Sequence, residues 1–194
     1  MKSVKSIALA ALAAASLSSC GYNTMVEKQE AVDAQWAQVE NVYQRRADLI
    51  PNLVATVKGY ASHESETLTA VVEARTKATS VNVDASSLNQ EQLEHFQKAQ
   101  GELSSALGRL LAIQEAYPDL KANEHFRDLS AQLEGTENRI ATERKKFNDT
   151  ARDYNTFIKM FPNNLMAGIF SFESKPYFKA DEGSDKAPKV EFYP

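Results

Sequence analysis

The sequence predicts an all-α protein, an elongated antiparallel up-and-down four-helix bundle, and three observations predict it. Apolar residues recur at steps of three and four along most of the chain, no sustained alternation of period two appears, and only 7 Gly and 6 Pro punctuate 194 residues. That length suits one domain with a real core rather than two. Hydrophobic residues at 43 % and charged residues at 25 % describe an ordinary folded domain, not a disordered chain.

The N-terminus comes first. Lys2 and Lys5 precede a largely apolar run, Ile7 to Leu17. As helix this run spans about 16 Å, roughly half a hydrocarbon core, so it has the shape of an export signal rather than a permanent transmembrane helix. It ends in Leu17-Ser18-Ser19-Cys20, which resembles the bacterial lipobox: a branched apolar residue, two small ones, then the cysteine that is acylated. Residues 1–19 are expected to be cleaved as a lipoprotein signal peptide, leaving Cys20 as lipid anchor and 20–25 as a lipidated tether. The competing reading is an ordinary signal peptide with an incidental cysteine. Cys20 is the only cysteine, so no internal disulfide can form and packing alone must hold the domain. Cleavage removes Lys2 and Lys5 from 22 basic side chains, leaving 20 against 26 acidic ones, a net charge of roughly −6. An acidic domain gains little from nucleic acid or anionic headgroups, so the expected partner is the lipid bilayer, reached through acyl chains at about 0.8 kcal/mol per buried methylene. Gly21, in place of Asp after the cysteine, resembles default sorting to an outer membrane, facing the periplasm, in a two-membrane host.

Within the expected bundle domain, 26–172, Val32, Trp36, Val39 and Tyr43 form one stripe and predict a first helix over about 25–47. The same phase continues through Ile50, Leu53, Val57, Tyr60, Leu68, Val71 and Arg75, interrupted by Pro51. Proline inside a helix removes a hydrogen bond and crowds the preceding turn, so a tight turn at Ala47 to Ile50 with Asp48 as N-cap is preferred. The unbroken phase keeps open a single kinked helix of about 55 residues. Residues 80–89 read as a turn, and Asn89 with Gln92 forms a capping pair. It opens a helix striped by Leu93, Phe96, Leu103, Leu107 and Leu110 that ends near Tyr117-Pro118-Asp119. The last helix carries Phe126, Leu133, Ile140, Phe147, Tyr154 and Ile158 and stops at Phe161-Pro162. Leu165 to Phe172 is expected to fold back on the bundle end, and 173–194 to be a flexible, loosely ordered tail. Its closing Val190 to Pro194 reads either as packing onto the bundle or as a docking peptide.

The blocks Arg45-Arg46-Ala47-Asp48-Leu49-Ile50-Pro51-Asn52-Leu53-Val54, Val57-Lys58-Gly59-Tyr60-Ala61 with His63-Glu64, Glu73-Ala74-Arg75, and Tyr117 to Asn123 are distinctive. So are Leu133-Glu134-Gly135-Thr136-Glu137-Asn138-Arg139-Ile140, Tyr154-Asn155 and Phe161-Pro162. On these residues the chain resembles the LemA family over roughly 26–192. The resemblance implies an all-helical four-helix bundle tethered to a membrane at its N-terminus, and it brings no enzymatic activity, cofactor or catalytic residue. Many members carry an N-terminal transmembrane helix where this chain has a lipobox.

Candidate sites are few. His63-Glu64 suggests half of a zinc pattern, but position 67 is Thr, and no Glu stands three residues before His63, His95 or His125, so no metal ligand set, cofactor or catalytic residue is assigned. The only thiol is the acylated one, and no serine sits in a strand-to-helix elbow. Arg45, Arg46 and Asp48 before Pro51 form the most unusual cluster. Arg46 lies on the stripe and is expected to pair with Glu137 or Glu143, as a structural ion pair in preference to a partner-binding site. Glu64 and Arg144 interrupt apolar stripes as possible register-fixing partners. With Asn52, His63, Glu137, Asn138 and Arg139 these make up the polar set singled out as an interaction or structural cluster.

The expected function is a non-enzymatic, membrane-anchored envelope lipoprotein, an adaptor or scaffold for another envelope protein. The alternatives are a metal-binding or enzymatic bundle and a lipid or hydrophobic-ligand carrier.

Overall fold

The computed structural model describes the backbone of residues 2–180 and the side chains of residues 21–180. The expected signal peptide, the side chain of Cys20 and the closing Val190 to Pro194 lie outside the described residues. Within them the fold is all-helical without strands: α1 (Lys2–Tyr60), α2 (Ser65–Ser80), α3 (Gln90–Ala112), α4 (Pro118–Ala122), α5 (Glu124–Lys159) and α6 (Asn163–Ile169). No described helix is long and apolar enough to cross a membrane.

The turn preferred at Ala47 to Ile50 does not occur. Helix α1 runs straight through Pro51. A proline leaves the carbonyl four residues earlier without its donor, and here the guanidinium Nε of Arg75, from α2, donates to the Ala47 carbonyl at 2.8 Å. The side chain thus supplies what Pro51 cannot. The chain reverses later, at Ala61 to Glu64, where the Glu64 amide bonds the Ala61 carbonyl at 3.1 Å. Fully buried Ala61 is small enough to sit at that reversal, and Gly59 just before it weakens the helix there.

Helix α3 begins as its sequence indicates: the Gln92 amide bonds Asn89 Oδ1 at 2.9 Å, and the Asn89 amide bonds Gln92 Oε1 at 3.1 Å. Asn123 caps α5 by accepting from the Phe126 amide at 2.9 Å. The core divides into two clusters. The near one, on the N-terminal half of α1, gathers Met25 to Tyr43 of α1, Leu93 and Phe96 of α3 and Ile140 to Ile158 of α5. The far one joins Ile50 to Ala61, Leu68 to Ala78 of α2, Leu103 to Leu110 and Phe126 to Leu133. This pairing makes α5 antiparallel to α1. All buried positions of α2 belong to the far cluster, so α1, α2, α3 and α5 meet there, while among the described residues the long helices of the near half are α1, α3 and α5. Helix α2 is too short, at 16 residues, to extend further.

The fourth side of the near half is closed by the 81–88 connection and by residues 173–180, the first part of the segment expected to be loose. Lys175, Pro176 and Phe178 are instead buried, and Phe178 stacks on Trp36 with ring centroids 6.0 Å apart. Before this strap, α6 folds back against α1 and α5, burying Ala167. Ser171, at φ 58°, reverses the chain after α6, and the Phe172 amide returns to the Ala167 carbonyl at 2.9 Å.

Candidate functional site

Between the two apolar clusters lies one polar layer. It follows from sequence register: Arg46, Gln100 and Thr136 fall on core phases of α1, α3 and α5, where all three are buried. The Arg46 side chain, 1 % exposed, donates Nη1 to Glu137 Oε1 at 2.5 Å and to Ser104 Oγ at 2.7 Å. Its Nη2 bonds Gln100 Oε1 at 2.6 Å and the Gln100 carbonyl at 3.2 Å, and the Tyr43 ring lies 5.1 Å from the guanidinium carbon. Gln100 in turn donates to the Ala78 carbonyl at 3.3 Å, tying α2 to the layer. Four acceptor atoms from two helices occupy the fork, so this arginine aligns α1, α3 and α5. It offers little to an external ligand.

The rest of the predicted polar set does not converge on it. Arg45, Asp48 and Asn52 are exposed along one face of α1, His63 in the reversal after it, and Asn138 and Arg139 on α5, and the Asp48 carboxylate takes a local bond from Gln44, at 2.7 Å. Glu64 and Arg144 do not meet. Glu64 accepts from the Tyr117 hydroxyl at 3.1 Å, while Asn123 donates to the Tyr60 hydroxyl at 2.9 Å, and the two bonds lock the far end of α1 to the α3–α5 corner. Arg144 lies 5.0 Å above the Phe178 ring and donates to the Lys179 carbonyl at 2.8 Å. Among the described residues no three of His, Cys, Asp and Glu are placed to hold a metal ion.

Sequence reasoning missed the strap. Asn155 Nδ2 donates to the Lys175 carbonyl and its Oδ1 accepts from the Lys175 amide, both at 2.8 Å. Seven residues earlier, Asn148 does the same for Phe178, at 3.0 and 2.8 Å. Two helical amides thus satisfy extended backbone as a neighbouring strand does. The buried Lys175 ammonium reaches Asp33 at 3.0 Å and the Ala85 carbonyl at 2.7 Å, joining strap, α1 and connection. A readable signal was present: Phe172, Tyr177 and Phe178 are more aromatic than a disordered composition carries. Beside the strap lies an open polar groove of about 570 Å³ lined by Ser86 to Gln90, Tyr154, Asn155, Lys159 and Glu173 to Tyr177.

Electrostatics around the strap favour ionised carboxylates. A hydrogen bond from Lys179, helped by one from Gln90, lowers the Glu94 carboxyl, and bonds from Lys146 and Gln35 lower that of Glu143. Burial, with Asp33 and Glu173 adding repulsion, pushes the Tyr154 phenol up to about 12. Burial raises the Glu40 carboxyl. Among the described residues these groups form no constellation of nucleophile and base.

The LemA family model matches residues 35–192. Magnetosome proteins MamQ 1 and MamQ 2 of Paramagnetospirillum magneticum are each 29 % identical over 183 residues, which cover 84 % of this chain and 66 % of theirs. Protein LemA of Metamycoplasma hominis is 24 % identical over 160 residues, 82 % of this chain and 69 % of its own. The chain therefore spans just under two thirds of the length of the magnetosome relatives. With a family match across most of its length, and blocks that build the polar layer and the far corner of the helical body, the chain belongs to the LemA family.

Proposed function

We propose that this protein is a lipid-tethered envelope component, held at a membrane by acyl chains on Cys20 and acting without catalysis as an adaptor or scaffold. The continuity of α1 supports this reading. One helix, Lys2–Tyr60, carries the Leu17-Ser18-Ser19-Cys20 sequence directly into the body against which α2, α5 and α6 pack. From Gly21 to Tyr60 that helix extends about 60 Å at 1.5 Å per residue. An anchor joined to a stiff helix holds the far corner, with Tyr60, Glu64, Tyr117 and Asn123, well above a bilayer. We read the molecule as a four-helix bundle in its far half and as three helices closed by a strap in its near half.

The test is Cys20→Ser in the native host, with Glu30 and Asn52 separately replaced by a photo-crosslinking residue. The substitution is expected to leave an unacylated, unprocessed precursor and to change membrane fractionation. The crosslinkers are expected to trap one recurrent envelope protein. Unchanged processing and fractionation in the serine variant would refute the tether, and adducts with bulk lipoproteins alone would refute the adaptor role.

A further inference from the structure

We infer that the exposed apolar surface around α6 is a second membrane contact, inserting into the lipid boundary beside the anchor and limiting the tilt of the helical body; this rests on the tether proposed above. Phe161 is 80 % exposed, Leu165 58 %, Ile169 71 % and Phe170 51 %. Four large apolar side chains within ten consecutive residues form a patch of the kind that soluble surfaces rarely leave uncovered. The exposure is a consequence of the fold. Helix α6 turns Ala167 inward against α1 and α5, which leaves Leu165 and Ile169, four residues apart, on its outer face.

Its position names the occupant. A Cβ placed on Gly21 would lie 3.1 Å from Asn163 Oδ1 at the start of α6, and the Tyr22 ring meets Phe170 with centroids 4.9 Å apart. Cys20 is the residue next to Gly21, about 3.8 Å along the chain. Acylation of that cysteine therefore brings the patch to the lipid surface without any rearrangement. Charge agrees, because Asn163–Ile169 contains no charged side chain, so entry of its apolar face into the acyl boundary desolvates no ion. Lipid anchors are strengthened by a second signal, and a short apolar helix beside the first supplies it. Two contacts define a line where one defines only a point, so the body loses the freedom to tilt away from the patch about its anchor.

The experiment uses the full-length acylated protein in phosphatidylcholine vesicles, with Ile169→Cys or Leu165→Cys carrying an environment-sensitive fluorophore. Val72→Cys, 48 % exposed on α2 in the far half, is the control. With Cys20 converted to a thioether, each introduced thiol is the single labelling site. Labels at 165 and 169 are expected to emit blue-shifted, to be quenched by lipids spin-labelled near the headgroup, and to show several-fold less iodide quenching than the label at 72. Protein that floats with vesicles while the label at 169 behaves like that at 72 overturns the insertion and leaves the tether standing. Protein that does not float overturns both. Shielding from iodide without quenching by spin-labelled lipid means that protein covers the patch, and shielding that grows with protein density means that a second copy does. Either result overturns the proposal.

Discussion

Arg46 is surrounded by four acceptor atoms, of which only Glu137 Oε1 bears charge. The Glu137 side chain is 44 % exposed whereas that of Arg46 is 1 % exposed, and this asymmetry decides which deletion hurts. Glu137→Ala strands a buried cation among neutral acceptors and is expected to cost about 2–3 kcal/mol. Arg46→Met removes the charge and lets the half-exposed Glu137 hydrate, but leaves the buried Gln100 Oε1 without its donor, so it is expected to cost about 1–2 kcal/mol, less than Glu137→Ala. Urea unfolding of the detergent-solubilised full-length protein measures both, and the reverse order would contradict the assignment. Tyr154 makes a prediction about alkaline pH. Its native phenol titrates at about 12 instead of 10, so the native state keeps a proton that the unfolded chain releases. The resulting stability, on the order of 2 kcal/mol, is complete below pH ~10 and is lost as the pH rises towards 12. Tyr154→Phe is expected to lose less stability across that window than the unaltered protein. A difference between the two that does not change with pH would be the contrary outcome.

At the scale of elements, Pro51 and Arg75 act together. The proline removes the donor for the Ala47 carbonyl, and Arg75 replaces it. Arg75→Met is expected to cost about 1–3 kcal/mol in the natural background, because a hydrogen bond from a charged group is lost and a carbonyl is left unpaired. In a Pro51→Ala background the new amide can serve Ala47, so the same change is expected to cost at least about 1 kcal/mol less, an interaction that a double-mutant cycle reads directly. Additive effects would show that the bond is incidental. The pair also explains where element boundaries were legible. Asn89 and Gln92 announced the start of α3 because a capping box is a local device within one turn. Pro51 misdirected the reading, because its compensation comes from a residue 24 positions away. The apolar phase continuing through it was the better guide. Asn148 and Asn155 gave no signal of their own, since a lone asparagine on a helix face does not show whose backbone it holds.

The whole molecule is organised by how far each helix reaches. If α1 is continuous, spin labels at Glu30→Cys and Lys58→Cys are expected to lie roughly 42 Å apart, from 1.5 Å of rise per residue. A chain that turned at Ala47 to Ile50 would bring them within about 25 Å. A pulsed dipolar distance separates the two. The short α2 has a larger effect than its length suggests: it leaves the near half of α1, α3 and α5 uncovered, and the strap closes that side with Phe178 against Trp36 and Phe147. The second helix was expected to start at Asp48 and residues 173–180 to be loose, and the two departures share one cause: α2 is short, and 173–180 cover the surface that it leaves. Where one helix stops early, apolar surface remains, and chain from elsewhere must cover it.

Taken alone, the sequence determined the helical class, the apolar stripes, the Asn89 cap, the polar residue on the core phase of α1 and the family to which the chain belongs. These are periodic or local properties, written within a few turns of one helix or in contiguous blocks of residues. Only the tertiary structure decided where α1 ends, which acceptors hold Arg46, and that residues 173–180 are part of the body. Each of those depends on groups far apart in the chain, whose meeting is set by the relative lengths and rotations of packed helices, and no local pattern encodes it.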